Sequence, residues 1–298
     1  MTVIRTTALT AIAPAVWGTT YIVTSELLPA DHPLFSGLAR ALPAGLLAIA
    51  LTRTLPAGAW WWKAAVLGVL NIGAFFPLLF LTAYRLPGGI AATLNATQPL
   101  VVAVLAVSLL SQPLSRWRLG WGLVGVLGVA LIVLRGEVTL DGVGILAGIG
   151  AAASMATGVT LTKRWARPAH VGPMAFAGWQ LSAGGLFLVP ITLITEGVPD
   201  SVTGMGIAGY AWLGLIGGLL TYTLWFSGIG RIPVTSAALL GLLSPIVAAI
   251  LGAVVLDQLL GPVQLLGFAL ALAAIAAGQF NPTRAAHPRP HRRRAGTP

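Results

Sequence analysis

RLPGGIAATLNATQPLVVAVLAVSLLSQPL at residues 85–114 lies without a gap on RIPVTSAALLGLLSPIVAAILGAVVLDQLL at residues 231–260. Matches at Ala, Val and Leu weigh little, because any two apolar helices share them. The Arg-x-Pro starts (Arg85 and Pro87, Arg231 and Pro233), the prolines Pro99 and Pro245, and the glutamines Gln112 and Gln258 weigh more. A fainter echo sets Leu38-Ala39-Arg40 and Ala44-Gly45 against Trp179-Gln180 and Gly184-Gly185.

Around these stretches run ten apolar segments, at roughly 7–28, 34–52, 62–84, 89–111, 117–134, 143–162, 172–194, 207–229, 235–256 and 262–280. Most hold about 20 residues, which at ~1.5 Å per residue crosses a ~30 Å hydrocarbon core. Each half of the duplication has five, an odd number, so the second half must enter the membrane upside down relative to the first. The expected fold is all-α and membrane-integral, ten transmembrane helices as two inverted five-helix repeats. The expected units are residues 1–136, residues 137–280, and a disordered basic cytoplasmic tail at 281–298. Inverted repeats are an architecture of secondary transporters, whose substrate sits near the midplane between the halves.

Charge follows the same alternation. Numbering the connections by side from the N-terminus, one side collects Arg5, Arg53, Lys63, Arg116, Arg118, Lys163, Arg164, Arg167, Arg231 and the five arginines of the tail. The other collects Arg85 and Arg135 with Glu26, Asp31, Glu137, Asp141, Glu196, Asp200 and Asp257. Basic loops stay in the cytoplasm, so both termini are expected on the cytoplasmic side of the cell (inner) membrane.

With 8% charged residues and a mean hydropathy of +0.90, the chain cannot be a soluble globule, which carries about 25% charged residues. The net charge of +10 does not imply nucleic acid, because the basic residues sit at helix ends and in the tail. The absence of cysteine excludes disulfides and Cys-ligated zinc. The first apolar run carries Pro14 and Glu26 and reads as a retained helix rather than a signal peptide. Histidines at 32, 170, 287 and 291 are scattered, there is no metal-ligand spacing, and no Gly-rich phosphate loop is present. No cofactor and no metal are expected.

Several residues could line a transport cavity. Pro99 and Pro245 fall about ten residues into their helices, where proline removes a backbone hydrogen bond and displaces the carbonyl four residues earlier. Those carbonyls belong to Asn95 and Gly241, and freed carbonyls in hydrocarbon must be buried in protein or line a wet cavity. Asn95, Gln98 and Ser244 cluster at the two kinks; packing between helices is the alternative role. Trp17 and Tyr21, one turn apart with Thr20 beside them, lie too deep for the interfacial belt. Tyr222 and Trp225 form a similar pair, and Asn71 adds an amide. Trp60, Trp61, Trp62, Trp117, Trp165 and Tyr84 sit at span ends as anchors. Arg40 is a costly charge inside a span that either lines the pathway or snorkels outward. Glu26 could pair with it, take up protons from outside, or simply sit at the interface. Glycine and alanine runs (Gly120, Gly122, Gly125 and Gly128; Gly267, Ala271, Ala274 and Gly278) suit close helix packing or a homodimer.

The Val-Trp-Gly-Thr-Thr-Tyr run at 16–21, Arg40 early in the second span, and the Gln98-Pro99 and Ser244-Pro245 helices resemble the drug/metabolite transporter superfamily, in its EamA-type branch of ten-helix permeases. The resemblance covers about 7–280 and implies a central cavity in a family that exports amino acids, drugs and other small metabolites. Two features depart from it. The family's Gly-Glu at the ends of the fourth and ninth helices is replaced by Ser111-Gln112 and Asp257-Gln258, and its sixth-helix aromatic by Thr157. No coupling role attached to those glutamates carries over, and protons as coupling ion are permitted rather than indicated.

The expected function is secondary-active export of a small neutral or zwitterionic metabolite, with the bilayer and that solute as partners. Flipping of a lipid-linked sugar and an integral-membrane enzyme are the alternatives. Reporter fusions test the topology: a fusion after residue 167 should read cytoplasmic and one after residue 198 external, and the reverse pattern rejects it.

Overall fold

Inside hydrocarbon no water is available to backbone N–H and C=O groups, so an apolar run satisfies itself as a helix. The computed structural model describes residues 3–29, 32–85, 94–133, 141–255 and 261–280, and its regular elements among these are all helical. They are α1 (Val3–Trp17), α2 (Thr19–Leu27), α3 (Pro33–Thr52), α4 (Trp60–Gly68), α5 (Phe75–Arg85), α6 (Gln98–Leu110) and α7 (Arg116–Val133). There follow α8 (Gly142–Trp165), α9 (Pro173–Thr195), α10 (Gly204–Ala211), α11 (Thr221–Ile229), α12 (Val234–Leu240), α13 (Leu243–Val255) and α14 (Pro262–Gly278). Wide π-helical turns at Val69–Gly73 and Trp212–Leu220 lie between α4 and α5 and between α10 and α11. Six helical stretches among the described residues are long and apolar enough to cross a membrane, and Leu94–Leu110 and Pro262–Gly278 are shorter apolar helices. Pro87, Arg135, Glu137, Asp257, Gln258, the tail, and the side chains of Tyr21 and Tyr84 lie outside what is described.

Interruptions fall at prolines and glycines. Between α1 and α2 the Gly18 N–H donates to both Pro14 O and Ala15 O at 3.2 Å. A Cβ at Gly18 would lie 2.6 Å from Val247 Cβ and 2.7 Å from Ser244 O, so glycine lets this break approach the start of α13. Between α12 and α13, Pro245 has no N–H to give Gly241, and Ser244 N–H donates to Gly241 O instead, at 3.1 Å. The carbonyl that the proline displaces is thus taken up by a tighter turn. Before α6, Thr97 forms a turn and its Oγ1 donates to Leu94 O at 2.6 Å.

Long contacts join the helices in a regular scheme. α3 packs most extensively on α9 and α7 on α14; α5 and α6 pack on α8, and α11 and α13 pack on α1. α3 and α9 run antiparallel. Glu196, just past the end of α9, accepts from Leu34 N at 2.8 Å and Phe35 N at 3.0 Å at the start of α3. Trp179, early in α9, donates to Thr54 O, just past the end of α3, at 2.7 Å. A carboxylate at a helix N-terminus satisfies orphan N–H donors and complements the helix dipole. α7 and α14 are antiparallel too: Trp117 Nε1 donates to Ala277 O at 2.9 Å and Arg118 Nε to Gly278 O at 3.3 Å.

Such contacts sort the helix termini into two ends. One gathers Thr54, Trp117, Arg118 and Gly278, and the edge-to-face contact of Trp62 with Trp165 at 5.1 Å with Lys63 beside both rings. There Lys163 Nζ donates to the carbonyls of Ile229, Gly230 and Ile232 at 3.0, 2.7 and 3.0 Å, capping α11. In the same region, partial burial and then the like charge of Arg231 lower the Arg167 pKa. The opposite end holds Glu196 and the Arg85–Asp141 ion pair at 3.6 Å. Lys63, Arg118, Lys163, Arg167 and Arg231 therefore lie at one end of the bundle, and Glu196 and Asp141 at the other.

The small-residue face is spent inside the chain. A Cβ on Gly128 would stand 2.7 Å from Ala271 N, and one on Gly267 would stand 2.6 Å from Gly128 O, backbone against backbone. Gly128→Val and Gly267→Val should each lower the thermal midpoint in detergent, at a cost of about 1–3 kcal/mol or more. Gly120→Ala, with nothing within 4 Å of the added carbon, should leave it unchanged. Equal effects at the three positions would contradict this packing.

Candidate functional site

The π-turn at Trp212–Leu220 shapes the site. A wide turn takes a carbonyl out of the α-helical ladder, and such turns recur at functional sites. Here the Gly217 carbonyl collects three side-chain donors: Thr221 Oγ1 at 2.7 Å, Arg40 Nη2 at 2.9 Å and Trp17 Nε1 at 3.1 Å. Trp17 Nε1 also donates to Thr221 Oγ1 at 3.0 Å. Three stretches far apart in sequence, α1, α3 and the turn before α11, are pinned to one oxygen.

Arg40 is 7% exposed and so does not snorkel. Its guanidinium lies 5.3 Å from the centroid of the Phe76 ring, and Nη1 approaches Thr20 Oγ1 at 3.4 Å. Above it opens a narrow cleft lined by Thr20, Thr24, Ser36, Gly37, Phe76 and Leu213, with a volume of about 10 Å³, roughly one water molecule. Ser36 Oγ lies 3.4 Å from the Tyr210 hydroxyl at the mouth. Glu26 is exposed, its carboxylate accepting from Ser25 Oγ at 3.2 Å.

On the other side of Gly217 the interior is aromatic. Trp17 packs on Tyr222 and Trp225 at 5.2 and 5.5 Å, and Tyr222 on Phe226 at 5.6 Å. Phe226 meets Phe176 at 5.4 Å, and Phe176 meets Trp60 at 5.6 Å. Lys63 Nζ sits 5.1 Å from the Trp60 ring. This train fills the half of the bundle that leads to the basic end. Trp225 is 2% exposed, and its Nε1–H makes no hydrogen bond among the described residues. A buried donor with its bond unmade carries a desolvation cost of about 1–3 kcal/mol.

A second polar crossing sits at the other π-turn. Asn71 Nδ2 donates to Gln180 Oε1 at 2.8 Å and to Thr162 Oγ1 at 3.4 Å, with Asn71 and Gln180 both 0% exposed. Asn71 Oδ1 and Gln180 Nε2 make no hydrogen bond among the described residues. Arg40 and Gln180, aligned by the fainter echo in the sequence, thus do matching work. Arg40 reaches from α3 to the π-turn before α11, and Gln180 from α9 to the π-turn before α5.

Of the expected lining residues, Trp17, Thr20, Tyr222, Trp225 and Arg40 come together. Asn71 lies at the second crossing, held by Gln180. Ser244 is half-buried and adjoins Gly18. Asn95 and Gln98 are half-buried and do not line the cleft, and Pro99 beside them is buried while Pro245 is half-buried. Thr157 donates to Ala153 O within its own helix. Sequence reading missed Gly217, Thr221, Phe76, Thr24 and Ser36. A signal existed for Gly217 in the run Gly214-Leu-Ile-Gly-Gly, and none for the others. Among the described residues no group of three His, Cys, Asp or Glu could hold a metal ion.

Comparison with known proteins supplies the context. The EamA-like transporter family profile matches residues 5–134 and 142–277. Protein PecM of Dickeya dadantii is 45% identical over 263 residues, covering 88% of each chain. The threonine/homoserine exporter RhtA of Escherichia coli is 28% identical over 210 residues, covering 69% of this chain and 67% of its own. A solved crystal structure at 20% identity has a TM-score of 0.78 and covers 95% of this chain and 99% of that one.

The Asn71–Gln180 pair generates a double-mutant test. Asn71→Leu alone strands the Gln180 amide and should destabilise the protein by about 1–3 kcal/mol, while Asn71→Leu with Gln180→Leu should recover most of that loss. Thermal unfolding of the purified variants measures it; additive losses would show that the two amides do not act as a pair.

Proposed function

The chain belongs to the EamA-like transporter family, and we propose that it is a secondary-active exporter of a small neutral or zwitterionic metabolite, built as ten spans in two inverted repeats. As a member of a transporter family it is a multi-pass membrane protein and not an enzyme. The repeats are residues 1–136 and 137–280, followed by the basic tail.

Support for the inverted arrangement comes from the helix pairings. Exchanging the halves sends α3 to α9, α7 to α14, α1–α2 to α8, α4–α5 to α10–α11, and α6 to α12–α13. The α5–α8 packing then becomes α11–α1, the α6–α8 packing becomes α13–α1, and the α3–α9 and α7–α14 pairs map onto themselves. Self-mapped pairs that run antiparallel are what an in-plane two-fold produces. The two π-turns fall in exchanged positions as well.

The observation that carries transport is the convergence of Trp17, Arg40 and Thr221 on Gly217 O, between a polar cleft and an aromatic train. Alternating access would widen the cleft on one side and part the aromatics on the other. With the basic end cytoplasmic, in the inner membrane with both termini inside, the cleft faces outward and the aromatic half closes the cytoplasmic side. Trp225, whose buried N–H lacks an acceptor among the described residues, would donate to the solute once the aromatics part. Tyr222, Ser244, Asn95 and Gln98, which lie outside the cleft in this conformation, would complete the lining once the cavity opens, and Pro99 and Pro245 the kinks about which helices bend. An amino acid similar to the substrates in RhtA's name is the first solute to try.

Proteoliposomes loaded with threonine, homoserine and a panel of aromatic metabolites test this reading under an imposed pH gradient. Wild type should release at least one solute, faster when protons can exchange for it if protons couple the cycle. Trp17→Phe, Trp225→Phe, Asn95→Ala and Gln98→Ala should slow release about fivefold or more, a loss equivalent to ~1 kcal/mol, at near wild-type thermal stability. Trp61→Ala, at an exposed ring, should be silent. No release of any solute, or equal slowing at Trp61, would overturn the reading.

A further inference from the structure

The duplicated fold contains its own control for Arg40. Gln180 occupies the matching place in the other half and joins its helix to the opposite π-turn through a neutral amide. A neutral side chain therefore suffices for the structural crossing, yet the first half carries a cation there, buried to 7% exposure. Charge inside a span is costly and marks pathways and ligand contacts by default. Arg40 also has the form of a recognition residue. Gly217 O fixes one edge of the guanidinium at 2.9 Å and the Phe76 ring covers it at 5.3 Å, so its plane is set in advance. The Thr20 contact, at 3.4 Å, is long for a hydrogen bond and readily exchanged for a stronger acceptor. Thr20, Thr24 and Ser36 line the same cleft as Arg40.

We propose that Arg40 recognises a carboxylate, so that the transported solute is a carboxylate-bearing metabolite whose acid group docks in this cleft. A planar fork matches a carboxylate in two parallel N–H···O contacts, which a lysine ammonium cannot reproduce. Hydroxyls of Thr20, Thr24 and Ser36 are then placed to donate to the same group or its neighbours. Of the neutral or zwitterionic solutes proposed above, this keeps the zwitterions that carry an acid group, extends the class to other carboxylates, and sets aside uncharged solutes and amines without one. The inference rests on the exporter reading for its consequence, but it is tested by binding alone.

The test is the thermal midpoint of the purified, detergent-solubilised protein against matched pairs of acids and their carboxamides: amino acids, hydroxy acids and aromatic acids, with inorganic phosphate as a separate arm. At least one acid should raise the midpoint of wild type while its amide at equal concentration does not. Arg40→Gln, which copies the amide of the other half, should weaken that acid's apparent affinity tenfold or more, and Arg40→Lys should recover only part of it. The proposal is overturned if no acid stabilises wild type, if amides or phosphate do so equally, or if Arg40→Gln keeps full affinity. Acid–amide discrimination in wild type is decisive even where Arg40→Gln folds poorly. Arg40-dependent acid binding without flux in liposomes would reject the exporter reading and leave this inference standing. Flux of an acid matched by equal flux of its amide would do the opposite.

Discussion

Everything in this bundle depends on one constraint: within hydrocarbon, each backbone polar group removed from the helical ladder must find a partner in the protein. The Gly217 carbonyl meets that constraint with donors from α1, α3 and its own helix. In doing so it turns a defect in one helix into the junction of three. The same requirement explains why Ser244 N–H closes on Gly241 O beside Pro245, and why Lys163 spends its ammonium on three carbonyls at the end of α11. Breaks and wide turns survive here because each brings its own partner.

The two halves solve the same problem with different chemistry. At one crossing an amide meets an amide in a fully buried place; at the other a guanidinium meets a carbonyl beside a hydroxyl-lined cleft. Duplication lets one copy retain the structural solution while the other takes on a charge. That asymmetry also gives the molecule a polar side and an aromatic side about the Gly217 junction.

Much of the architecture could be read from the sequence because spans announce themselves by length and apolarity, and charge sorts by connection. Pro99, Pro245 and the small-residue runs of α7 and α14 were legible for the same local reasons, though not that Gly128 and Gly267 meet each other. The site was legible only in part. Trp17, Thr20, Tyr222, Trp225 and Arg40 stood out as polar or aromatic groups too deep for an interface. Phe76 did not, since a phenylalanine in an apolar run carries no sign of what it touches, and the glycine run around Gly217 marks a close approach without naming the partners. Asn71 was visible as a buried amide, but its pairing with Gln180 is a contact between distant helices, and only the fold brings them within 2.8 Å.

Alternating access about the junction is the central claim, and distances across the two ends measure it most directly. The chain has no cysteine, so introduced thiols can be spin-labelled without background. One pair, Ser25→Cys with Val198→Cys, spans the halves at the acidic end; another, Trp61→Cys with Gly230→Cys, spans them at the basic end. Pulsed electron paramagnetic resonance in liposomes should find the two distances shifting in opposite senses when a transported solute is added. Distances that stay fixed, or that lengthen together, would contradict the account.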